Sequence, residues 1–457
     1  MDQYLLDKYN APVPRYTSYP PANHFSDKFT SSDYETAIIE SNELNPQNVS
    51  IYVHIPFCKK LCFYCGCNKI SMHNDEMIKK YIETLKIELH KVLKLINPYR
   101  LLSQIHYGGG TPNAIDSKYL GEINSIIFSY LKTIESPEIA IECNPAYLDF
   151  QYIKDLTDAG FNRFSIGIQD FNIEVLKTVN RSIPELPVKE IINIIKDLNP
   201  NAVINFDFIY GLPGQNSQSF AKSIDEAISY NPDRIVTFSY AHLPTVFKAQ
   251  YALEKAGLPS PEEKIEMYQN TNIQLKENGY MPVGMDHYVR EDDELYQAFK
   301  NNLLHRNFQG YCTRRTTGQV YAFGISSISQ FETSYFQTTK SIESYIETIN
   351  KDSFPVEKGY RLNNNEIIVR EVIEELMCNK KIDLTAIALN FDISLDKLKS
   401  HLNFDESSLQ NFIRDGIINY SNNIIEISEM GILFIRNVAA SLDPVYKNKV
   451  MNYSKAV

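Results

Sequence analysis

No window of this sequence reaches the ~18 to 20 consecutive apolar residues of a membrane span, so no membrane role is expected. Basic residues are not in excess: Lys and Arg number 45 against 56 Asp and Glu, a formal net charge of −11. A nucleic-acid partner normally calls for a basic face, so none is expected. The first residues, MDQYLLDKYNAPVPRYTSYPP, show neither the apolar core nor the small-residue cleavage site of a secretory signal. The protein is therefore expected in the cytoplasm, where thiols stay reduced. Internal repeats beyond a βα alternation and low-complexity tracts are lacking too. Cysteine is scarce, at seven residues in 457.

Those few cysteines are unevenly spent. Cys143, Cys312 and Cys378 are scattered, whereas Cys58, Cys62, Cys65 and Cys67 share the stretch HIPFCKKLCFYCGCNKI. In a reducing compartment a tight cluster reads as a metal or redox site before it reads as disulfides. The spacing is C-x3-C-x2-C-x-C. Structural zinc usually shows paired knuckles separated by a longer segment, and a bacterial ferredoxin run has a different spacing that ends in proline. Three close thiolates suit three irons of a [4Fe–4S] cube and leave the fourth iron open to an outside ligand. An open coordination position separates a reactive metal site from a structural one. Cys67 is then expected to be a small residue near the cluster and not a ligand.

Hydrophobic residues at 43% and charged residues at 22% are ordinary for a soluble enzyme, and the length suggests about three domains. From SIYVHIP at residue 50 to SYAHLP ending at 244, β-branched strand patterns alternate with helical apolar periods. About six strand–helix units over residues 51–245 argue a parallel sheet covered by helices. Six are too few for a full eight-unit barrel, so an open, partial (β/α)6 TIM-like barrel is expected.

In such folds the C-terminal strand ends carry the chemistry. The cysteine loop follows the first strand. Gly108, Gly109, Gly110 and Thr111 follow the second, and Glu142 ends the third. Gln169 and Asp170 end the fourth, Asp207 lies in the fifth, and Ala241 and His242 end the sixth. Glycines lacking Cβ let backbone N–H groups approach a carboxylate or amino acid moiety closely. Glu142 and Asp207 are placed as acceptors for ribose hydroxyls.

The C-x3-C-x2-C loop closely resembles that of the radical S-adenosylmethionine (SAM) enzymes, which adopt such a partial barrel. More widely, RYTSYPPA, YVHIPFCKKLCFYCGCNKI, HYGGGTP, FNRFSIGIQDFNIEVLKTVNR, FDFIYGLPGQ, SYAHLP, GMDHYVREDDEL, LHRNFQGY and RNVAASLD together resemble the oxygen-independent coproporphyrinogen III dehydrogenases over nearly the whole chain. The C-x-C ending at Cys67 fits that family, where the related heme chaperones carry phenylalanine at this last position. The resemblance implies a [4Fe–4S] cluster held by Cys58, Cys62 and Cys65, and two SAM molecules. Tyr52, with the cluster cysteines, would belong to the catalytic set. Tyr52, Gly109 and Glu142 match positions holding the first SAM. Tyr64, Gly110, Thr111, Gln169, Arg181, Asp207, Ala241 and Ile328 match positions holding the second. The implied substrate is coproporphyrinogen III, with an electron donor and an electron acceptor as partners, and a monomer is expected.

A tetracarboxylate substrate on an acidic protein needs local cations, and arginine is the usual carboxylate fork. Arg15, Arg163, Arg290, Arg306, Arg314 and Arg315 are the candidates. His54 and His287 are read as structural. After HRNFQGY the family leads one to expect a stretch like TTQGDTD, but this chain has CTRRTTGQVYAFG, which leaves room for a divergent pocket. Cys312 within it reads as a small buried residue. The expected organisation is an N-terminal segment near the site (1–50), the partial barrel (51–245), an extension completing the site (246–350) and a mostly helical, winged-helix-like domain (351–457) serving as a lid. A protein that carries or modifies heme is the alternative. A non-catalytic iron–sulfur carrier would need neither GGGTP nor the acceptors at the strand ends.

Overall fold

The computed structural model describes residues 3–72, 74–313, 318–446 and 453. Its main body is one twelve-stranded sheet. In chain order the strands are β1 (Val49–Ile55), β2 (Leu102–Gly109), β3 (Thr133–Cys143), β4 (Arg163–Gln169), β5 (Val203–Tyr210), β6 (Arg234–Ser239), β7 (Tyr280–Val283), β8 (His287–Arg290), β9 (Gln319–Phe323), β10 (Ile328–Gln330), β11 (Ser334–Thr338) and β12 (Val356–Arg361). Across the sheet they run β12-β11-β10-β9-β1-β2-β3-β4-β5-β6-β8-β7.

Strands β1 to β6 are parallel neighbours in chain order. Each parallel step needs a crossover, and helices supply it. Asp75–Leu93 leads from β1 to β2, Ser117–Tyr130 from β2 to β3, Phe150–Asp158 from β3 to β4, Val188–Leu198 from β4 to β5, and Ser217–Ser229 from β5 to β6. The first of these shows the logic. Asn74 caps it by accepting from the Glu76 N–H. Ile78, Tyr81, Ile82, Leu85, Leu89 and Val92 then recur at helical spacing and are all buried. The expected six-unit partial barrel is the observed one.

The later chain adds strands at both edges, which local patterns did not disclose. β9 joins the exposed edge of β1 in parallel, from Val49 opposite Gln319 to Val53 opposite Phe323. It thereby becomes a seventh parallel strand, followed by antiparallel β10 to β12. At the far edge β8 runs antiparallel to β6.

Period-two alternation sends each strand's odd and even residues to opposite faces. In β1, Ile51, Val53 and Ile55 join the apolar core under the helices. In β3 and β4 the core takes Ile139, Ile141 and Cys143, then Phe164, Ile166 and Ile168. The opposite faces carry Tyr52 and His54, His106, Glu138 and Glu142, Arg163 and Ser165, and Asn205 and Asp207. The barrel interior is thus polar. At its N-terminal end a buried ion cluster closes it. Arg163 lies 2.8 Å from Glu138, Gln104 donates to Glu138 at 2.6 Å, and Arg234 bonds Asp293 at 2.7 Å.

A second apolar core lies outside the sheet. Helices Asn364–Asn379, Leu384–Asn390, Leu395–His401, Glu406–Arg414 and Ile435–Leu442 surround it, with an antiparallel sheet of Lys381–Asp383, Ile424–Ile427 and Ile418–Ser421. The N-terminal segment is divided between the two cores. Leu5, Leu6, Tyr9, Val13, Tyr16 and Tyr19 pack into the second one, whereas Tyr34, Ala37 and Ile38 pack against the barrel. Tyr16 and Tyr19 both donate to the Asp443 carboxylate, at 2.9 and 3.2 Å. The first residues and the last helix therefore pack together.

Candidate active site

The C-terminal ends of β1 to β5 converge on a cavity of about 160 Å³. Its walls include Tyr64, Cys65, Cys67, Gly109, Gly110, Thr111, Glu142, Gln169, Arg181 and Asp207. Residues 100 or more apart in sequence meet here because all follow or end parallel strands.

The GGGT turn fits tightly under the cysteine loop. Gly109 has φ +111°, in the left-handed region that disfavours a side chain. A Cβ on Gly110 would stand 2.5 Å from the Pro56 carbonyl oxygen, so no side chain fits there. The Gly110 N–H donates to Ile55 O at 2.8 Å and the Thr111 N–H to Phe57 O at 3.0 Å. Thr111 Oγ1 also lies 3.4 Å from Cys58 Sγ. The turn and the first cysteine are thus held as one unit.

Cys58 is buried, Cys62 and Cys65 are half-buried, and Cys67 is exposed. Burial pushes the Cys58 thiol up, and the nearby Cys65 and Cys62 push it further. Cys65 is brought down to about 6, chiefly by a hydrogen bond from Cys67 and then by the charge of Lys69. Lys69 itself donates to Cys65 O at 2.7 Å. Among the described residues no three His, Cys, Asp or Glu side chains converge on a single-ion site. Three neighbouring thiols on one loop can each bind a separate iron of a cube. The donor set therefore fits a [4Fe–4S] cluster on Cys58, Cys62 and Cys65.

Arg181 arrives from the loop after the short helix Ile173–Thr178. Its guanidinium donates to Tyr64 Oη at 3.2 Å, to Cys62 Sγ at 3.7 Å and to the Gly167 carbonyl. Gln169 has φ +68° at a register shift between β4 and β5. Asp207 is half-buried in the barrel, accepting from Ser165 at 2.7 Å and from Asn205 at 2.8 Å. Burial pushes its carboxyl up despite those donors. Glu142 accepts from His106 Nε2 at 3.0 Å. The His106 ring stacks on Tyr52 with centroids 6.1 Å apart. Tyr52 Oη is 3.1 Å from His54 Nδ1, and burial followed by the Glu142 charge pushes the Tyr52 phenol well up. His54 Nε2 is 3.0 Å from Asn68 O, and burial lowers it to about 4, so it is a neutral positioning group. A glycine turn that admits no Cβ, beside carboxylates with oxygen to spare, fits the amino acid and ribose ends of SAM.

A wider cavity of about 580 Å³ adjoins the cysteine loop. Tyr64, Cys65 and Cys67 border both spaces, and Arg15, Tyr16, Phe238, Ala241 and Phe247 line the wider one. Gln250 donates to Ala241 O at 3.3 Å and to Tyr64 O at 3.1 Å, tying the sixth strand end to the loop.

Most residues singled out from sequence meet in these two spaces. Ile328 lines neither. It packs beside Phe25, Tyr335 and Leu362, because β10 lies two strands beyond β1. Among the arginines, Arg15 is on the cavity wall. Arg163 is spent at the opposite barrel end on Glu138. Arg290 covers the Tyr280 ring at 3.7 Å and bonds Asn278 O. Arg314 and Arg315 lie outside the described residues. Asp170 is structural, accepting from Gln215 and Ser223. Cys312 is buried, as expected for a small packing residue. Sequence reasoning missed His106, Ser165 and Asn205. All three stand at inward positions of strands already recognised, so the period-two count would have found them.

A cysteine loop after the first of six parallel strands, facing polar strand ends, defines a radical SAM barrel, and the Radical SAM superfamily profile matches residues 52–227. Oxygen-independent coproporphyrinogen III oxidase from Synechocystis sp. is 37% identical over 97% of this chain and 95% of its own length. The Escherichia coli oxidase is 36% identical over 98% and 96%. The solved structure of coproporphyrinogen III oxidase (HemN) from Escherichia coli superposes with a TM-score of 0.88, at 34% identity, over 97% of this chain and 99% of that one. The chain belongs to the family of oxygen-independent coproporphyrinogen III oxidases.

Proposed function

We propose that this protein converts two propionate side chains of coproporphyrinogen III into vinyl groups, giving protoporphyrinogen IX without oxygen. The observation that carries the reading is the end-to-end match to the oxidases, in a chain whose cysteine loop opens onto both a glycine-walled cavity and a wider one. Bound on Cys58, Cys62 and Cys65 and in the glycine-walled cavity, the cluster and SAM would supply the one-electron chemistry that removes a hydrogen atom from the propionate β-carbon. The side chain then loses CO2 and one electron, and the electron needs an acceptor outside the chain.

The protein's own residues bind, orient and exclude water. Cys58, Cys62 and Cys65 hold the cluster. Gly109 and Glu142, beside Tyr52, take the first SAM. Tyr64, Gly110, Thr111, Gln169, Arg181 and Asp207 take the second, with Ala241 at the border of the wider space. Ile328 joins this set only if a ligand reaches past β9. His106 fixes the orientation of Glu142. The heme-carrying alternative draws no support from the relatives compared above, which are named as coproporphyrinogen III oxidases. Among the described residues no helix is long and apolar enough to cross a membrane.

The test is anaerobic incubation of reconstituted, reduced protein with SAM and coproporphyrinogen III, followed by tetrapyrrole mass. Loss of two CO2 per molecule is expected. An unchanged tetrapyrrole with an intact cluster would overturn the assignment.

A further inference from the structure

Three guanidinium groups from distant parts of the chain lie close enough to act on one another, and one of them stands on the wall of the wider cavity. Arg15, from the N-terminal segment, lies on its wall. Arg436, on the helix Ile435–Leu442, donates to Pro14 O at 3.0 Å and to Val13 O, so it grips the backbone that presents Arg15. Arg306 comes from the hairpin of Leu304–Asn307 and Gly310–Thr313. It stands over the Tyr311 ring, 5.2 Å from the centroid. That ring is fixed in turn. It meets His287 edge-on at 5.0 Å, and Tyr311 Oη accepts from the Met285 N–H at 3.2 Å. Gly284 has φ +60°, and a Cβ there would overlap the Tyr311 ring.

The three cations feel one another. Burial holds Arg15 down, with the Arg306 charge adding to it, and burial followed by Arg15 and Arg306 holds Arg436 at about 9. Asp286 faces Arg15 and Arg306 and already engages His287 Nδ1 at 2.7 Å, and Glu374 also lies near Arg306. Nε and Nη1 of Arg306 are buried and have no hydrogen-bond partner. Buried donors left unmade are costly, and gathered like charges are costlier. An arginine fork held over a ring, with donors to spare, is the arrangement that takes a carboxylate in two hydrogen bonds.

We propose that Arg306 and Arg15 form a subsite for one carboxylate of the tetrapyrrole, with Arg436 as a positioning residue that holds Arg15 in place. This rests on the substrate reading above and adds where the substrate is gripped. Its cations come from the first residues, the hairpin and the last helix. Substrate binding therefore ties the second core to the barrel.

The experiment is equilibrium binding of coproporphyrin III, a fluorescent tetracarboxylate, and of its tetramethyl ester to the reconstituted protein. Wild type, Arg306→Gln, Arg306→Lys and Arg15→Gln are compared, with thermal unfolding of each. The acid is expected to bind each Gln variant about tenfold or more weakly than wild type, with partial recovery in Arg306→Lys. The ester is expected to bind wild type and variants alike. Unchanged binding of the acid by both Gln variants would overturn the subsite. So would equal losses for acid and ester, which would mean a structural effect. Failure of wild type to bind the acid would remove the substrate reading itself, and the subsite with it.

Discussion

Arg181 bridges the cysteine loop and the fourth barrel strand: it donates to Cys62 Sγ at 3.7 Å while its other nitrogen bonds the Gly167 carbonyl. Gly167 is part of this contact, since a Cβ there would lie 2.8 Å from both Arg181 Nη2 and Gln169 Nε2. Only a planar fork reaches Cys62, Tyr64 and Gly167 together. Arg181→Lys keeps the charge and loses the fork. Hydrogen bonds to charged groups contribute about 1.5–3 kcal/mol, so turnover should fall roughly tenfold or more. Steady-state rates with the iron content matched to wild type check this.

The cysteines should divide cleanly. Cys58→Ala, Cys62→Ala and Cys65→Ala are each expected to lose most bound iron and sulfide after anaerobic reconstitution. Cys67→Ala should retain both, because three thiolates suffice for three irons and Cys67 lies at the exposed end of the loop. Iron and sulfide analysis with the visible absorption band reads the difference. A Cys67→Ala protein without iron would make it a ligand.

Glu88 gives a stability test away from the site. It is buried on the helix Asp75–Leu93 and accepts from Tyr345 Oη at 2.6 Å and the Gly324 N–H at 2.9 Å. Burial nevertheless raises it from 4.5 to about 7. Between those values the folded protein keeps a proton that the unfolded chain has released. The stabilisation is complete below about pH 4.5 and is lost as pH rises through about 7, at most about 3 kcal/mol for a shift of this size. Glu88→Gln should flatten that fall. Thermal midpoints of both proteins from about pH 5 to 8 provide the check.

Gly110→Ala tests the turn. With the Pro56 carbonyl 2.5 Å from the new Cβ, the GGGT segment must shift away from the cysteine loop. SAM affinity is expected to drop at least tenfold while the fold persists, because the clash is confined to a loop outside the apolar cores. Equilibrium dialysis with SAM measures it.

What was legible in the sequence follows from which interactions are local. Helix and strand periods, the cysteine spacing and the glycine turn are read within a few residues of chain, and they located β1 to β6 and most of the residues that line the candidate site. β9 was not legible as a neighbour of β1, since that pairing joins Val49 to Gln319 across the whole barrel. The division of residues 1–50 between two cores, and the meeting of Arg15, Arg306 and Arg436, are likewise long-range. Arg436 lay within the recognised RNVAASLD stretch, yet nothing local marks it as reaching Val13 and Pro14.

Coproporphyrinogen III deuterated at the propionate β-carbons tests the central claim most directly. After one anaerobic turnover with SAM, the account predicts deuterium in the 5′-deoxyadenosine and vinyl groups in the tetrapyrrole. Deuterium that stays in the tetrapyrrole, while 5′-deoxyadenosine still forms, would contradict it.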